Sequence, residues 1–253
     1  MQKEMPTLSF CITCKNRFHQ ISQTLPRNLS DNEELKDSID FVLVDFGSTD
    51  GLRDWIVSNF MHEIESGYLK YYYTEELKEW HVSVAKNTAH MLADNRILVN
   101  LDCDNYTGRN GGAFVINTMM KYGPDQTILH QFSNHFKDGS YGRIALTKGN
   151  FLSLRGYDES LMPSGYADTN LLQRFWISGG NYIHFPDRAY NQAISNTKEE
   201  GLINVSTQMS WREMNYRNLQ QSKENITTGK LIANTDKEYI GIIDNIYTFV
   251  DDD

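Results

Sequence analysis

Val42-Leu43-Val44-Asp45-Phe46-Gly47-Ser48-Thr49-Asp50-Gly51, VLVDFGSTDG, opens as a strand and ends as the mouth of a helix. The apolar run Phe41–Val44 shows no polar alternation, as expected of a strand covered on both faces. Asp45 ends it. Gly47 permits a bend, and Ser48, Thr49 or Asp50 is placed to cap a helix running through Leu52, Trp55, Ile56 and Phe60. Three further runs have strand length: Leu8–Thr13, Tyr68–Tyr73 and Ile97–Leu101. Between the last two, Val82, Ala85, Ala89 and Leu92 line one face of a helix. This alternation predicts an α/β domain built on a doubly wound, mostly parallel sheet with helices on both faces. Ligands in such sheets bind beyond the C-terminal ends of the strands, where Asp45 and Asp102 fall.

The later half is less regular. Gly111–Tyr122 reads as a helix, Ile128–Phe132 and Arg143–Thr147 as strands, Asp168–Ser178 as a helix, and Thr207–Gln221 as a C-terminal helix. Residues 1–105 and 106–200 are expected to form two halves of one domain, and 201–253 a helical extension.

With 24 Lys and Arg against 33 Asp and Glu, the net charge of −9 argues against a nucleic-acid binder. No run reaches the roughly 18 apolar residues of a membrane span, and the apolar run in MQKEMPTLSF is too short for a secretory signal. The expectation is a cytoplasmic protein with no transmembrane segment, compatible with peripheral membrane association. Cys11 and Cys14 are three apart on a strand, so they face opposite sides and make a poor metal clip; with Cys103 they read as structural thiols.

Beyond the fourth strand stands Asn100-Leu101-Asp102-Cys103-Asp104-Asn105, NLDCDN. Two acids one residue apart at a ligand-binding edge suit a hard divalent cation, Mg²⁺ or Mn²⁺, which takes its other ligands from water and phosphate. Alone, D-x-D is more often a solvated turn. Gly111-Gly112 lacks a following Lys-Ser or Lys-Thr, so no P-loop is present. The seven histidines form no H-x-x-x-H, which argues against a zinc enzyme.

ITCKNR (12–17), VDFGSTDG (44–51), SVAKNTA (83–89), NLDCDN and LTKGNFLSLRGYDESLMPSGYADTNLLQR (146–174), in this order, resemble the family 2-type glycosyltransferases of GT-A fold, close to the galactosyltransferase-like branch. The resemblance covers most of residues 8–178 and implies that 1–105 form the nucleotide-sugar donor-binding half and 106–200 the acceptor-binding and catalytic half. It implies a metal-dependent, inverting hexosyltransferase that moves a sugar from a nucleoside-diphosphate sugar, UDP-linked by family likeness, to a hydroxyl of a glycan or other acceptor. It places Thr13, Asp45 and Ser48 at the nucleoside, Lys86 and Asn87 near the donor, and Asp102, Cys103 and Asp104 at the metal and diphosphate. Asn196 and His184 are alternative third ligands. Arg17, Gly156, Tyr157 and Tyr166 fall among substrate contacts, and Asp168 where the family has its acceptor-activating base. Lys86 stands where the family has Arg, and Ala167 where it often has an acid.

Several residues carry a plainer reading too. Asp168 would serve as a helix N-cap, Glu159 as a surface acid, and Trp176 as core rather than a sugar-stacking ring. Two rival functions remain open: a nucleotidyltransferase, and a catalytically silent sugar-nucleotide or glycan-binding module.

Overall fold

The computed structural model describes residues 7–132 and 139–248. Strands β1 (Leu8–Cys14), β2 (Ile39–Asp45), β3 (Leu69–Tyr73) and β4 (Ile97–Asn100) are joined by helices α1 (Phe18–Asn32), α2 (Leu52–Glu65) and α3 (Val82–Leu92). There follow β5 (Asn105–Tyr106), α4 (Gly111–Tyr122), β6 (Thr127–His130), β7 (Ile144–Thr147), α5 (Lys148–Ser153) and α6 (Ala167–Ile177). The chain continues through β8 (Asn181–His184), β9 (Gln192–Ala193), α7 (Trp211–Thr227) and β10 (Tyr247–Thr248). The main sheet has eight strands in the order β10-β3-β2-β1-β4-β7-β6-β8. β10 and β7 pair antiparallel with their neighbours, and the other pairings are parallel. The mostly parallel α/β sheet expected from the strand–helix alternation is therefore present.

Period-two burial explains the uninterrupted apolar runs. Phe10, Ile12, Cys14, Phe41, Leu43 and Val99 pack into one layer with Ile21 and Leu25 of α1, Ile56 of α2 and Met119 of α4. Cys11, Val42, Val44 and Leu98 pack into the opposite layer with Ala85 and Ala89 of α3, Phe151 of α5 and Leu171 and Phe175 of α6. Each such side chain contributes roughly 1.5–3 kcal/mol on leaving water, so both faces of the sheet specify register. Cys11 and Cys14 lie in opposite layers as free thiols, as the strand reading requires.

From β1 the chain crosses to β2 on one side, while β4 joins β1 on the other. The strand order thus reverses between β1 and β4, and a crevice opens at their C-terminal ends. Leu101 still donates its N–H to the Cys11 carbonyl (2.9 Å), which carries Asp102 just past the sheet edge. A two-stranded ribbon, β5 with β9, follows at once, and the Ile194 N–H bonds the Asp104 carbonyl at 2.8 Å. That ribbon brings residue 196 beside residue 104.

Several local expectations need correction. The helix after VLVDFGSTDG is preceded by Gly51 in the left-handed region (φ +89°), with no side-chain cap. Asp50 instead accepts the N–H of Phe18 at 2.8 Å and so caps α1. The reason is topological: β1 and β2 are parallel neighbours, so the helices that follow them start at one edge. The last helix begins at Trp211 rather than Thr207, because Ser210 accepts from the Glu213 N–H and fixes the start there. α6 starts at Ala167, one residue before the expected position, and Asp168 is inside its first turn, not its N-cap. Strands β8 and β10, at the two sheet edges, carried no sequence signal long enough to be read. The tail Val250–Asp253 lies outside the described residues.

Candidate active site

At the crevice between β1 and β4, a cleft is lined on one side by Thr13, Lys15, Arg17, Trp80, Asp102, Cys103, Asp104, Asn196 and Asn204. It continues to a second side lined by Tyr141, Tyr166, Asp168, Thr169, Trp211 and Asn215. Val82, Lys86, Asp102, Asn196 and Gly201 line both.

Lys86 is the centre of the arrangement. It projects from α3, and its Nζ lies 2.7 Å from Asp168 Oδ1 and 3.6 Å from Asp102 Oδ1. Its side chain is only 4% exposed, so little water screens these pairs. Burial pushes its pKa down, but Asp102 and then Asp168 outweigh burial and raise it overall. The ammonium also lies over the Tyr157 ring, 5.3 Å from its centroid.

Asp102 is held from below. Asn100 Nδ2 donates to its Oδ1 (3.0 Å) and to the Gly142 carbonyl (2.8 Å). A Cβ on Gly142 would stand 2.6 Å from Asp102 Oδ2 and 3.1 Å from Lys86 Nζ, so only glycine admits this packing. Asp104 is raised to about 6, first by burial and then by the charge of Asp102. Its Oδ2 accepts from Asn196 Nδ2 at 2.5 Å. This is the repulsive pairing that a cation relieves. Two carboxylates and one amide form a hard oxygen donor set, which fits a divalent ion completed by water or phosphate. The Asn196 amide donates to Asp104 here; its oxygen is the atom a cation would take. Among the described residues, no cluster of three or more His, Cys, Asp or Glu side chains is arranged to hold a metal.

Of the other candidate residues, Thr13, Arg17, Cys103 and Tyr166 line the cleft. Arg17 also donates to the Glu200 carbonyl. Six do not line it: Asp45, Ser48, Asn87, Gly156, Tyr157 and His184. Asp45 is fully buried: its Oδ1 accepts from the Ser48 N–H (2.9 Å) and its Oδ2 from the Tyr71 hydroxyl (2.9 Å), and burial raises its pKa. Ser48 in turn accepts the Asn16 N–H. Both hold the turn and do not line the cleft. Asn87, also fully buried, bonds the Tyr157 carbonyl, the Tyr157 N–H and Glu159 Oε1, at 2.7–2.8 Å. Gly156 adopts φ +62°, and a Cβ there would meet Asn87 Oδ1 at 2.3 Å; Tyr157 is fully buried. Asn87, Gly156 and Tyr157 therefore form the wall behind Lys86.

Glu159 is no surface acid: its side chain is 3% exposed and takes bonds from Lys237 and the Gly241 N–H. His184 lies on β8, three strands from β4, with Nε2 2.6 Å from the Phe132 carbonyl, away from the acid pair. Trp176, expected in the core, is 63% exposed. Sequence reasoning missed Lys15, Trp80, Tyr141, Asn204 and Trp211. Lys15, next but one to Thr13, carried the one usable signal; the others reach the cleft by chain returns that no local pattern announces.

No family model matches the chain, and no curated protein matches it. Solved structures do. A mannosyltransferase, PcManGT from Pyrobaculum calidifontis, in complex with GDP-Man and Mn²⁺, superposes with a TM-score of 0.65 at 17% identity, over 89% of this chain and 65% of that one. S. aureus TarS 1-349 in complex with UDP-GlcNAc gives 0.65 at 14% identity, over 87% and 66%. The same protein with UDP gives 0.61 at 13%, over 91% and 76%. The fold is GT-A. The chain spans about two thirds of the length of the first two of these structures. Among the described residues, no helix of this GT-A chain is long and apolar enough to cross a membrane.

Proposed function

We propose that the protein transfers a sugar from a nucleoside-diphosphate sugar to an acceptor hydroxyl, with inversion, assisted by a divalent ion. One observation carries the proposal: the acid pair at the end of β4 and Asp168 at the start of α6 share one cleft, linked through a single buried ammonium. The GT-A fold supports this reading, and the solved neighbours bind GDP-Man or UDP-GlcNAc. Asp102, Asp104 and Asn196 would hold Mn²⁺ or Mg²⁺. The ion supplies charge neutralisation for a departing diphosphate.

The chain's own residues do the rest. Thr13 and Arg17 line the donor side. Asp168 accepts the proton of the acceptor hydroxyl while that oxygen bonds to the anomeric carbon. The bond from that carbon to the diphosphate breaks, and its electron pair leaves with the nucleoside diphosphate. Lys86 fixes the Asp168 carboxylate with respect to Asp102. Positioning and electrostatics supply most of the rate, and the base typically about 10²–10⁴-fold. The galactosyltransferase-like branch, a hexose as the sugar and UDP as the nucleotide belong to this proposal.

One observation favours a second reading, a silent sugar-nucleotide-binding module: Lys86 already engages Asp168 at 2.7 Å. Thermal shift with nucleoside diphosphates and sugar nucleotides, with and without Mn²⁺, tests donor binding. Asp168→Asn is expected to stay folded, keep nucleotide binding and lose about 10²–10⁴ of turnover. Near-normal turnover in that variant removes Asp168 from the chemistry. Nucleotide binding with no release of nucleoside diphosphate establishes the silent module.

A further inference from the structure

Beside the cleft, and outside the residues given roles above, lies an exposed aromatic patch formed by Tyr141, Leu172, Trp176 and Tyr182, with Thr169 and Gln173. Three of its rings face water: Trp176 is 63% exposed, Tyr141 41% and Tyr182 40%. Exposed aromatics packed together on one face mark recognition sites more often than chance.

These rings are held in place. His130, 1% exposed, sits between the two tyrosines. Its Nε2 lies 2.7 Å from the Tyr141 carbonyl and its Nδ1 2.8 Å from the Tyr182 hydroxyl. A carbonyl only accepts, so Nε2 carries the proton and Nδ1 accepts from the Tyr182 O–H. The Tyr141 hydroxyl is in turn 2.9 Å from Thr169 Oγ1. The histidine thus fixes the Tyr182 hydroxyl and the main chain of Tyr141, whose ring packs edge-on against the imidazole at 4.9 Å between centroids, so it positions both residues.

The patch is continuous with the cleft. Tyr141 and Thr169 line both, and Thr169 follows Asp168 directly. On α6, residues 168 and 169, 172 and 173, and 176 recur on one helix face. Eight residues at about 1.5 Å each separate Asp168 from Trp176 by about 12 Å, the span of a short oligosaccharide. Flat π faces interleaved with Thr169, Gln173 and tyrosine hydroxyls suit the C–H faces and equatorial hydroxyls of pyranose rings. The Tyr141 and Tyr182 hydroxyls already bond Thr169 and His130, and each oxygen keeps acceptor capacity for a sugar hydroxyl at the edge of a stacked ring.

We propose that Trp176, Tyr182 and Tyr141 form a stacking subsite for the glycan chain of the acceptor, beyond the sugar whose hydroxyl faces Asp168. The acceptor is thus an oligosaccharide and not a single small hydroxyl compound. This rests on the transferase reading above.

The test compares wild type, Trp176→Ala and Trp176→Phe. Each is titrated with malto-, cello-, chito- and manno-oligosaccharides of one to six units, while nucleoside-diphosphate binding is followed in parallel by thermal shift. Because Trp176 is exposed, both variants are expected to fold. The expected result is that at least one series binds wild type more tightly with chain length and quenches Trp176 fluorescence. Trp176→Ala weakens the longer chains about tenfold, Trp176→Phe restores much of the loss, and nucleotide affinity is unchanged. No binding by any series, equal binding by Trp176→Ala, or a self-associating wild type that Trp176→Ala renders monomeric overturns the subsite. Absence of nucleotide binding by all three proteins fails the transferase reading instead.

Discussion

Replacing Lys86 by Met removes one buried positive charge and leaves Asp102 and Asp168 facing each other across the space it filled. Opposite charges about 4 Å apart attract by ~4 kcal/mol at an effective dielectric near 20, and Lys86 has two such partners. Desolvation of the ammonium cancels part of that gain. Removing one member of a buried pair costs about 3–5 kcal/mol. The two carboxylates are 32% and 22% exposed, so water recovers some of it and the expected net loss is about 2–4 kcal/mol. For a chain of this length that corresponds to a fall in Tm of roughly 4–15 °C. The same change should make the cleft a better cation site, because the ammonium beside Asp102 no longer opposes a divalent ion. Lys86→Met is therefore expected to gain more Tm than wild type from the same Mn²⁺ concentration. The lysine pKa is raised by folding, so its contribution is fully present below the unfolded value near 10.4 and is lost only as pH rises past it. The deficit should be constant between pH 6 and 9. Scanning calorimetry of both proteins, with and without Mn²⁺, measures all of this. A variant within about 1 °C of wild type, with no larger response to the ion, would show that the ion pair at the centre of the cleft does not exist in solution.

Asn87 distinguishes wall from donor contact. Asn87→Ala strands the Tyr157 N–H, at about 1–3 kcal/mol, while Glu159 Oε1 keeps the Gly241 N–H and the Tyr157 carbonyl keeps Asn234. It should lower stability by about 1–3 kcal/mol while leaving the nucleotide affinity of the folded fraction unchanged; a selective loss of that affinity would place Asn87 at the donor after all. His90 and His130 are both lowered to about 4, chiefly by burial. The unfolded chain takes up their protons first, so stability is lost as pH falls from about 6.5 toward 4, by roughly 3 kcal/mol per histidine at the lower end. His90→Phe keeps the stack on Phe151 and should flatten the slope in urea titrations across that range; an unchanged slope refutes the assignment.

Much of the N-terminal half was legible in the sequence because it is built from local rules. Strands buried on both faces appear as unbroken apolar runs, and the acid pair follows one of them directly. Asp102 and Asp104 follow β4 and Asp168 lies in the first turn of α6, so their place in the fold could be read from the pattern of their neighbours. Asp45, Asn87 and Tyr157 were misplaced because their neighbours in sequence resemble those of a ligand-facing residue, while burial is set by what packs above them. Trp176 was misplaced in the opposite sense. It follows Phe175, and a helix buries only part of its circumference, so one of two adjacent aromatics had to face outward.

By itself the sequence determined the alternation of strands and helices, the parallel sheet and the positions of acids at its C-terminal edge. Hydrophobic period and turn chemistry act over a few residues, so they can be read without coordinates. Only the tertiary structure decided that Lys86 joins Asp102 to Asp168, that Asn196 meets Asp104, and that His130 ties the Tyr182 hydroxyl to the main chain of Tyr141 beside the cleft. Those contacts link residues 11 to 92 positions apart, brought together by the order of strands in the sheet, and no local pattern encodes that order.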